Sequence, residues 1–355
     1  MHRNGIAYSY WIIIAVLFII AALVYPYRNI AMWYGFALAA YAAIANDSIQ
    51  TIGTFIASNK HRKWYWLWIF MGSIFVITVT VSWVLYDGDV SHGRLMSKGF
   101  REAPQSFSYL QIAAPIVLLV ITRLRMPVST TFLLLNAFAT STTAIMGVLE
   151  KSLSGYFLAF LTAIFVWFLI ESLTRRYFKG KAGGWWVYAQ WLTSGSLWAV
   201  WIAQDAANIA IFLPRSLSLP QFLGFTIFIF LGLALLFYMK GDKIQGIVDE
   251  KSGVHDVRAA TIIDFVYAIL LYYKLFESNT PMSTTWLFLG LLGGREMAIG
   301  LSKKLKKRRK ITSVRAVKMI LRDLGAALTG LVISMILALA INDNIRQEII
   351  DYLFH

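Results

Sequence analysis

Cysteine is missing from all 355 residues, histidine occurs 5 times, and charged residues make up only 14% of the chain. Without cysteine there is no disulfide framework, no thiolate metal centre and no cysteine nucleophile. A soluble domain carries roughly 25% charged residues. This composition therefore excludes a disordered chain, a coiled coil and an ordinary cytosolic enzyme. What the chain has instead is apolar: 58% of its residues are hydrophobic and 15% aromatic, with a mean hydropathy of +0.63. Such density points to one all-α polytopic membrane protein.

The net charge of +15 does not mark a nucleic-acid surface, which needs a contiguous basic stripe on a soluble domain. The basic residues sit instead in short clusters between apolar runs. Tyr8–Pro26 follows Arg3. It is longer than a signal-peptide core of about 7–15 residues, and no small-residue cleavage site follows. A retained transmembrane helix is expected. The other apolar runs are Ile30–Ser58, Tyr65–Tyr86, Tyr109–Ile121, Val128–Val148, Gly155–Leu173, Trp185–Leu213, Phe222–Met239, Ala259–Tyr273, Thr284–Ile299 and Val314–Ile341. Pro127 and Pro281 each separate a pair of short runs, which predicts two re-entrant hairpins. With the N-terminus inside, this topology puts most lysines and arginines inside, the run Lys303–Lys310 among them, as the positive-inside rule requires. The balanced segment Asp87–Ser108 falls outside. Asp343–His355 falls outside too, or lies along the interface as a short amphipathic helix.

Two polar motifs recur inside this apolar sequence. Ala45-Asn46-Asp47-Ser48-Ile49-Gln50 is matched by Ala203-Gln204-Asp205-Ala206-Ala207-Asn208, with the aspartates 158 residues apart. Pro127-Val128-Ser129-Thr130-Thr131 is matched by Pro281-Met282-Ser283-Thr284-Thr285, with the prolines 154 residues apart. Both recur in the same order at nearly the same offset. Under the topology above, the two halves run in opposite directions. The expected organisation is an extra N-terminal transmembrane helix (1–29), a first inverted repeat (30–181), a second (182–342) and a C-terminal tail (343–355). Inverted repeats with broken helices and polar tips are a secondary-transporter architecture.

A carboxylate near the bilayer midplane is costly and needs a partner. Carboxylates, carboxamides and freed carbonyls are hard oxygen ligands, suited to a small hard cation such as Na⁺. Asn46, Asp47, Gln50, Gln204, Asp205 and Asn208 form the candidate cation set. Proline favours the first turn of a helix, so the serine and threonines after it would stand at a positive dipole end with free N–H groups and hydroxyls. Ser129, Thr130, Thr131, Ser283, Thr284 and Thr285 form the candidate anion set. Arg123 is expected to pair with a carboxylate, Glu277 being its counterpart, or to add charge for the anion with Arg125. Arg295 and Glu296 read as an ion pair. Asp264 is a candidate third cation ligand or proton carrier.

These residues resemble the inorganic phosphate transporter family, whose members carry a Gly-Ala-Asn-Asp-Val-Ala-Asn-type signature in each half and Pro-Val-Ser-Thr-Thr-His-type hairpin tips. Asn46-Asp47 with Gln50, and Asp205 with Asn208, match the first. Pro127–Thr131 and Pro281–Thr285 match the second. The resemblance covers roughly residues 30–340 and implies a sodium-coupled phosphate symporter working by alternating access. It implies that Asn46, Asp47, Asp205 and Asn208 bind Na⁺, that the hairpin Ser/Thr residues bind phosphate, and that the protein forms a homodimer. A plasma (inner) membrane location is expected, with no cofactor beyond Na⁺ as coupling ion. The sequence departs from the family pattern at Ile44, at Gln204, and at Phe132 and Trp286, which replace the histidines. These departures leave sulfate or another oxyanion, and proton coupling, as the alternative. A membrane-embedded aspartyl enzyme is disfavoured, because Asn46 and Gln204 precede the aspartates where Tyr or Gly-x-Gly is needed.

Overall fold

The computed structural model describes residues 2–123, 128–177, 182–239, 257–301 and 309–354. Among them every regular element is helical, as the composition requires. Helix α1 (His2–Val24) precedes α2 (Arg28–Ala42), a π-helical stretch (Ala43–Asp47) and α3 (Ser48–Ser58). Then come α4 (Trp64–Leu85) and α5 (Tyr109–Arg123). A short π-helical piece (Thr131–Leu135) and a 3₁₀ turn (Asn136–Phe138) lead to α6 (Thr142–Tyr177). The second half holds α7 (Trp185–Ala210), α8 (Leu219–Tyr238), α9 (Val257–Glu277), α10 (Thr284–Leu301), α11 (Arg309–Ile341) and α12 (Asp343–Phe354).

Among the described residues, four helices are long and apolar enough to cross a membrane: Trp64–Leu85, Thr142–Ile170 within α6, Leu219–Tyr238, and Ile320–Ile341 within α11. Their outer faces carry exposed apolar stripes at helical spacing. Phe157, Leu161 and Phe165 line α6; Ile227, Leu231 and Leu235 line α8; Leu328, Val332 and Ile336 line α11. Contiguous apolar stripes of this kind are unstable against water and suit lipid.

Two helix starts show their local chemistry plainly. Ser218 and Gln221 form a capping box at the start of α8, in which the Ser218 amide donates to Gln221 Oε1 at 3.0 Å. Such a box satisfies two otherwise orphaned amides. The Asn342 side-chain oxygen accepts the amides of Asn344 and Ile345 at 3.0 and 3.4 Å. It thereby starts α12, the helix expected of the tail. Helix α1 docks through two tyrosines. Tyr10 donates to Leu119 O of α5 at 2.9 Å, and Tyr34 of α2 donates to Leu17 O at 2.8 Å.

One pair of predicted spans is redrawn. Val128–Val148 is not continuous, and the next span begins well before Gly155. The chain is extended at Ala139, and Ser141 Oγ then accepts the Ala144 amide at 3.3 Å, capping α6. Thr140-Ser141-Thr142 is a helix start signal hidden inside an apolar run. Glu150-Lys151 looked like a loop. It lies within α6, because Lys151 is buried with its ammonium on two carbonyls, described below.

Helices α6 and α10 approach most closely. A Cβ on Gly290 would stand closer than 3.0 Å to the Tyr156 carbonyl oxygen, and one on Gly294 would do the same at Phe160. Small residues four apart let two backbones touch without a hydrophobic driving force. This contact seats α10, and with it the polar turn at its start, on the longest helix. The lysine-rich stretch 303–308, Arg125 and Pro127 lie outside the described residues.

Candidate functional site

Helix α7 brings Gln204, Asp205 and Asn208 into the interior, where each is no more than 2% exposed. The spacing of three residues places Asp205 and Asn208 on one face. The Asn208 amide nitrogen donates to Asp205 Oδ1 at 3.1 Å. The same nitrogen donates to the hydroxyls of Thr130 and Thr131, both at 3.1 Å. From the other side, Thr284 Oγ1 donates to Asp205 Oδ2 at 2.5 Å. Thus one aspartate–asparagine pair touches both Pro-x-Ser-Thr-Thr segments.

Those segments also touch each other. Thr131 Oγ1 donates to Met282 O at 3.2 Å. Phe132 and Trp286, the residues after each threonine pair, meet edge to face with ring centroids 5.1 Å apart. Each serine caps its own short helix in the same way. Ser129 Oγ accepts the Phe132 amide and Ser283 Oγ accepts the Trp286 amide, both at 3.2 Å. The sequence reading put the proline at the first helical position and the serine in the first turn; α10 instead begins at Thr284, so Pro281 lies before the helix and Ser283 is its cap. All six Ser/Thr residues are buried. Ser283 is fixed further by its amide, which donates to Ser152 Oγ at 2.8 Å.

The first-half motif is placed only by its backbone. Ala43–Asp47 forms a π-helical turn, a local widening that recurs at functional sites. The side chains of Asn46, Asp47 and Gln50 lie outside the described residues. The second-half motif differs from expectation. It does not interrupt its helix, which stays regular through Asp205 and Asn208 and ends at Ala210. No proline or π-turn breaks it there, and Arg215 takes the last carbonyls, donating to Ile211 O at 3.1 Å and Leu213 O at 2.8 Å. The Gln204 carboxamide stays out of the network: neither of its polar atoms has a hydrogen-bond partner among the described residues.

Of the other charged residues, Arg123 takes another place than expected, while Arg295 and Glu296 pair as expected. Arg123 does not meet Glu277. Its guanidinium lies over the Tyr10 ring, 4.8 Å from the centroid, while Glu277 pairs with Lys274 at 2.6 Å. A cation three residues away on the same helix outcompetes a partner in the other half. Arg295 and Glu296 approach to 4.0 Å, and Arg295 also covers Trp167. Asp264 stands apart from the two Pro-x-Ser-Thr-Thr segments, held by Thr54 of α3 and Ser194 of α7.

Sequence reasoning missed the cations around the turn between α9 and α10. Lys151 Nζ donates to Ser278 O and Thr280 O, both at 2.8 Å. Arg94, from the segment between α4 and α5, donates to Leu275 O and Ser278 O. Together they cap the carbonyl end of α9, where cations are stabilised by the helix dipole. That segment is itself knotted by Asp89, which accepts the Ser91 and Gly93 amides at 2.7 and 2.9 Å. Burial, reinforced by Arg94, pushes His92 beside it down to about 4. The signal for this cap was a lysine inside an apolar run and an arginine in a turn-rich segment.

No protein-family model matches the chain, and no curated protein matches it either. Among solved structures, the chain is similar to one titled "The sodium-dependent phosphate transporter", at 17% identity, over 88% of this chain and 99% of that one, with a TM-score of 0.48.

Proposed function

We propose that the protein is a secondary active transporter that carries an inorganic oxyanion, phosphate first, in symport with Na⁺. One observation carries this reading. Two hairpin-tip motifs far apart in sequence converge on a single Asp–Asn pair. Capped serines and threonines at helix starts offer N–H and O–H donors that suit an oxyanion without a basic side chain. The Asp205 carboxylate, with carboxamide and hydroxyl oxygens around it, suits a hard monovalent cation.

In this reading coupling is direct. The proposed cation ligand Asp205 and the proposed anion ligand Thr284 share a hydrogen bond of 2.5 Å. Na⁺ on Asp205 would neutralise the carboxylate beside the anion and orient the Thr284 hydroxyl. The first-half motif Asn46-Asp47 would supply a second cation site by the sequence repeat, with Gln50 and Gln204 flanking. Rocking of one half against the other would switch access. A plasma (inner) membrane location and a homodimer belong to the same proposal.

The test is uptake of labelled phosphate into proteoliposomes, with and without an inward Na⁺ gradient, with sulfate as competitor. Saturable, Na⁺-dependent uptake unaffected by sulfate supports the reading. Sulfate uptake, or dependence on a proton gradient alone, moves the substrate or the coupling ion, with Phe132, Gln204 and Trp286 the residues to exchange first. Absence of saturable oxyanion uptake under every gradient overturns it.

A further inference from the structure

Asp264 is fully buried at 1% exposure, and the hairpin-tip site does not use it. Thr54 Oγ1 approaches its Oδ1 to 2.8 Å, and Ser194 Oγ approaches its Oδ2 to 2.5 Å. The three residues join α3, α7 and α9. Ser194 lies eleven residues before Asp205 on α7, which is about 16 Å along a helix. The two buried carboxylates therefore occupy separate sites.

Among the described side chains, none of the charges nearby forms an ion pair with Asp264. Helix α3 has no titratable side chain from Ser48 to Ser58, and Asp47 precedes Thr54 by seven residues. On α7 the carboxylate is Asp205, bonded to Thr284 and Asn208. On α6, Lys151 points to Ser278 and Thr280. On α10, Arg295 lies against Glu296 and Trp167. On α9 itself, Lys274 pairs with Glu277, Tyr267 donates to Thr284 O, and Arg258 is six residues away. An ionised carboxylate left so in an apolar interior is very costly, and its neutral acid is not.

The separations of 2.5 and 2.8 Å at Asp264 are those of O–H···O hydrogen bonds. The 158-residue offset maps Thr54 onto Phe212 and Ser194 onto Phe36, and the 154-residue offset maps Asp264 onto Leu110, so the matching positions in the sequence of the other half are apolar.

We propose that Asp264 is a proton-binding site distinct from the hairpin-tip site, and that α9 docks on α3 and α7 with this carboxyl protonated. A proton from water converts the carboxylate to the acid. The acid O–H then donates to one hydroxyl, and that hydroxyl turns its own proton to the carbonyl one turn back on its helix. Because α9 leads into Ser283–Thr285, loss of the proton loosens the arm that carries the second tip. Only this last consequence rests on the transporter reading; the protonation does not.

Infrared difference spectroscopy of the purified full-length protein tests the site. A buried carboxylic-acid band present at neutral pH and missing from Asp264→Asn is expected. No such difference, or its loss on adding Na⁺ at constant pH, overturns the proposal. In proteoliposomes, uptake should vary by up to about tenfold per pH unit for one linked proton, and Asp264→Asn should flatten that profile. An unchanged profile also overturns it. If the band behaves as expected but no oxyanion is taken up, the transporter reading fails and the proton site stands. The triple variant Thr54→Val, Ser194→Ala, Asp264→Leu guards against a purely structural role. It should fold and melt no lower than the parent, and a large fall would make the triad a polar staple instead.

Discussion

Replacing Gly290 and Gly294 together by alanine isolates the α6–α10 contact. Each new Cβ would come closer than 3.0 Å to a backbone carbonyl oxygen, of Tyr156 or Phe160. Backbone cannot rotate aside as a side chain can, so the upper part of the 1–3 kcal/mol range for overpacking applies, about 2.5–3 kcal/mol per site. Alanine returns about 1 kcal/mol per site in helix propensity. The pair should therefore lose roughly 3–4 kcal/mol, which is about 6–8 °C at roughly 2 °C per kcal/mol for a chain of this size. Gly325 in α11 is the control, because a Cβ there meets nothing within 4 Å. Gly325→Ala should gain about 1 kcal/mol, or roughly 2 °C. Thermal melting of the three proteins in one detergent decides the matter. A double variant that melts with the parent, or with Gly325→Ala, would falsify the tight contact.

Asn208→Ala removes one hydrogen bond to a carboxylate and the bridge to Thr130 and Thr131. Roughly 2–4 kcal/mol is at stake, so the half-saturating anion concentration should rise about 30- to 1,000-fold, and unchanged anion binding by calorimetry would remove Asn208 from the site. Thr284→Val takes the donor from Asp205 Oδ2. Half-saturation by both Na⁺ and anion should rise together, and a change in only one would show that the two sites are not directly linked. His92 is held down to about 4 against an ordinary 6.5. The unfolded chain therefore binds the extra proton between those values, and stability should fall as pH drops from 6.5 towards 4. His92→Gln should shrink that fall, and superimposable melting curves across the range would refute it. Glu348 accepts the hydroxyl and amide of Thr142, which hold its pKa below the usual carboxylate range. This support for α12 is present above that range and lost below it, so protease should release α12 sooner in acid and, in Glu348→Gln, equally at all pH.

Much of the site was legible because polar residues inside apolar sequence cannot be there by default. Ser129–Thr131, Ser283–Thr285, Asp205 and Asn208 were found that way, and Thr130, Thr131, Thr284, Asp205 and Asn208 come together as one network. Composition sufficed for the helical class. What escaped was set by partners distant in sequence. Lys151 reads as a loop residue until the carbonyls of Ser278 and Thr280 are brought to it. Arg123 was matched to Glu277 by repeat logic, but a tyrosine of the extra first helix lies nearer. The start of α6 was overlooked because hydropathy cannot see a serine cap within an apolar run. Gln204 shows the opposite failure, since its position in the motif says nothing of where its carboxamide points.

The π-helical turn at Ala43–Asp47 is the geometric equivalent of one extra residue in an α-helix. About five π-helical residues turn the chain by nearly as much as four α-helical ones, so removing a single residue there would restore ordinary winding and leave α2 and α3 facing nearly as before. What would be lost is the local widening itself, at Asn46-Asp47. A one-residue deletion in this turn therefore separates the open turn of the first motif from the packing of the helices on either side of it.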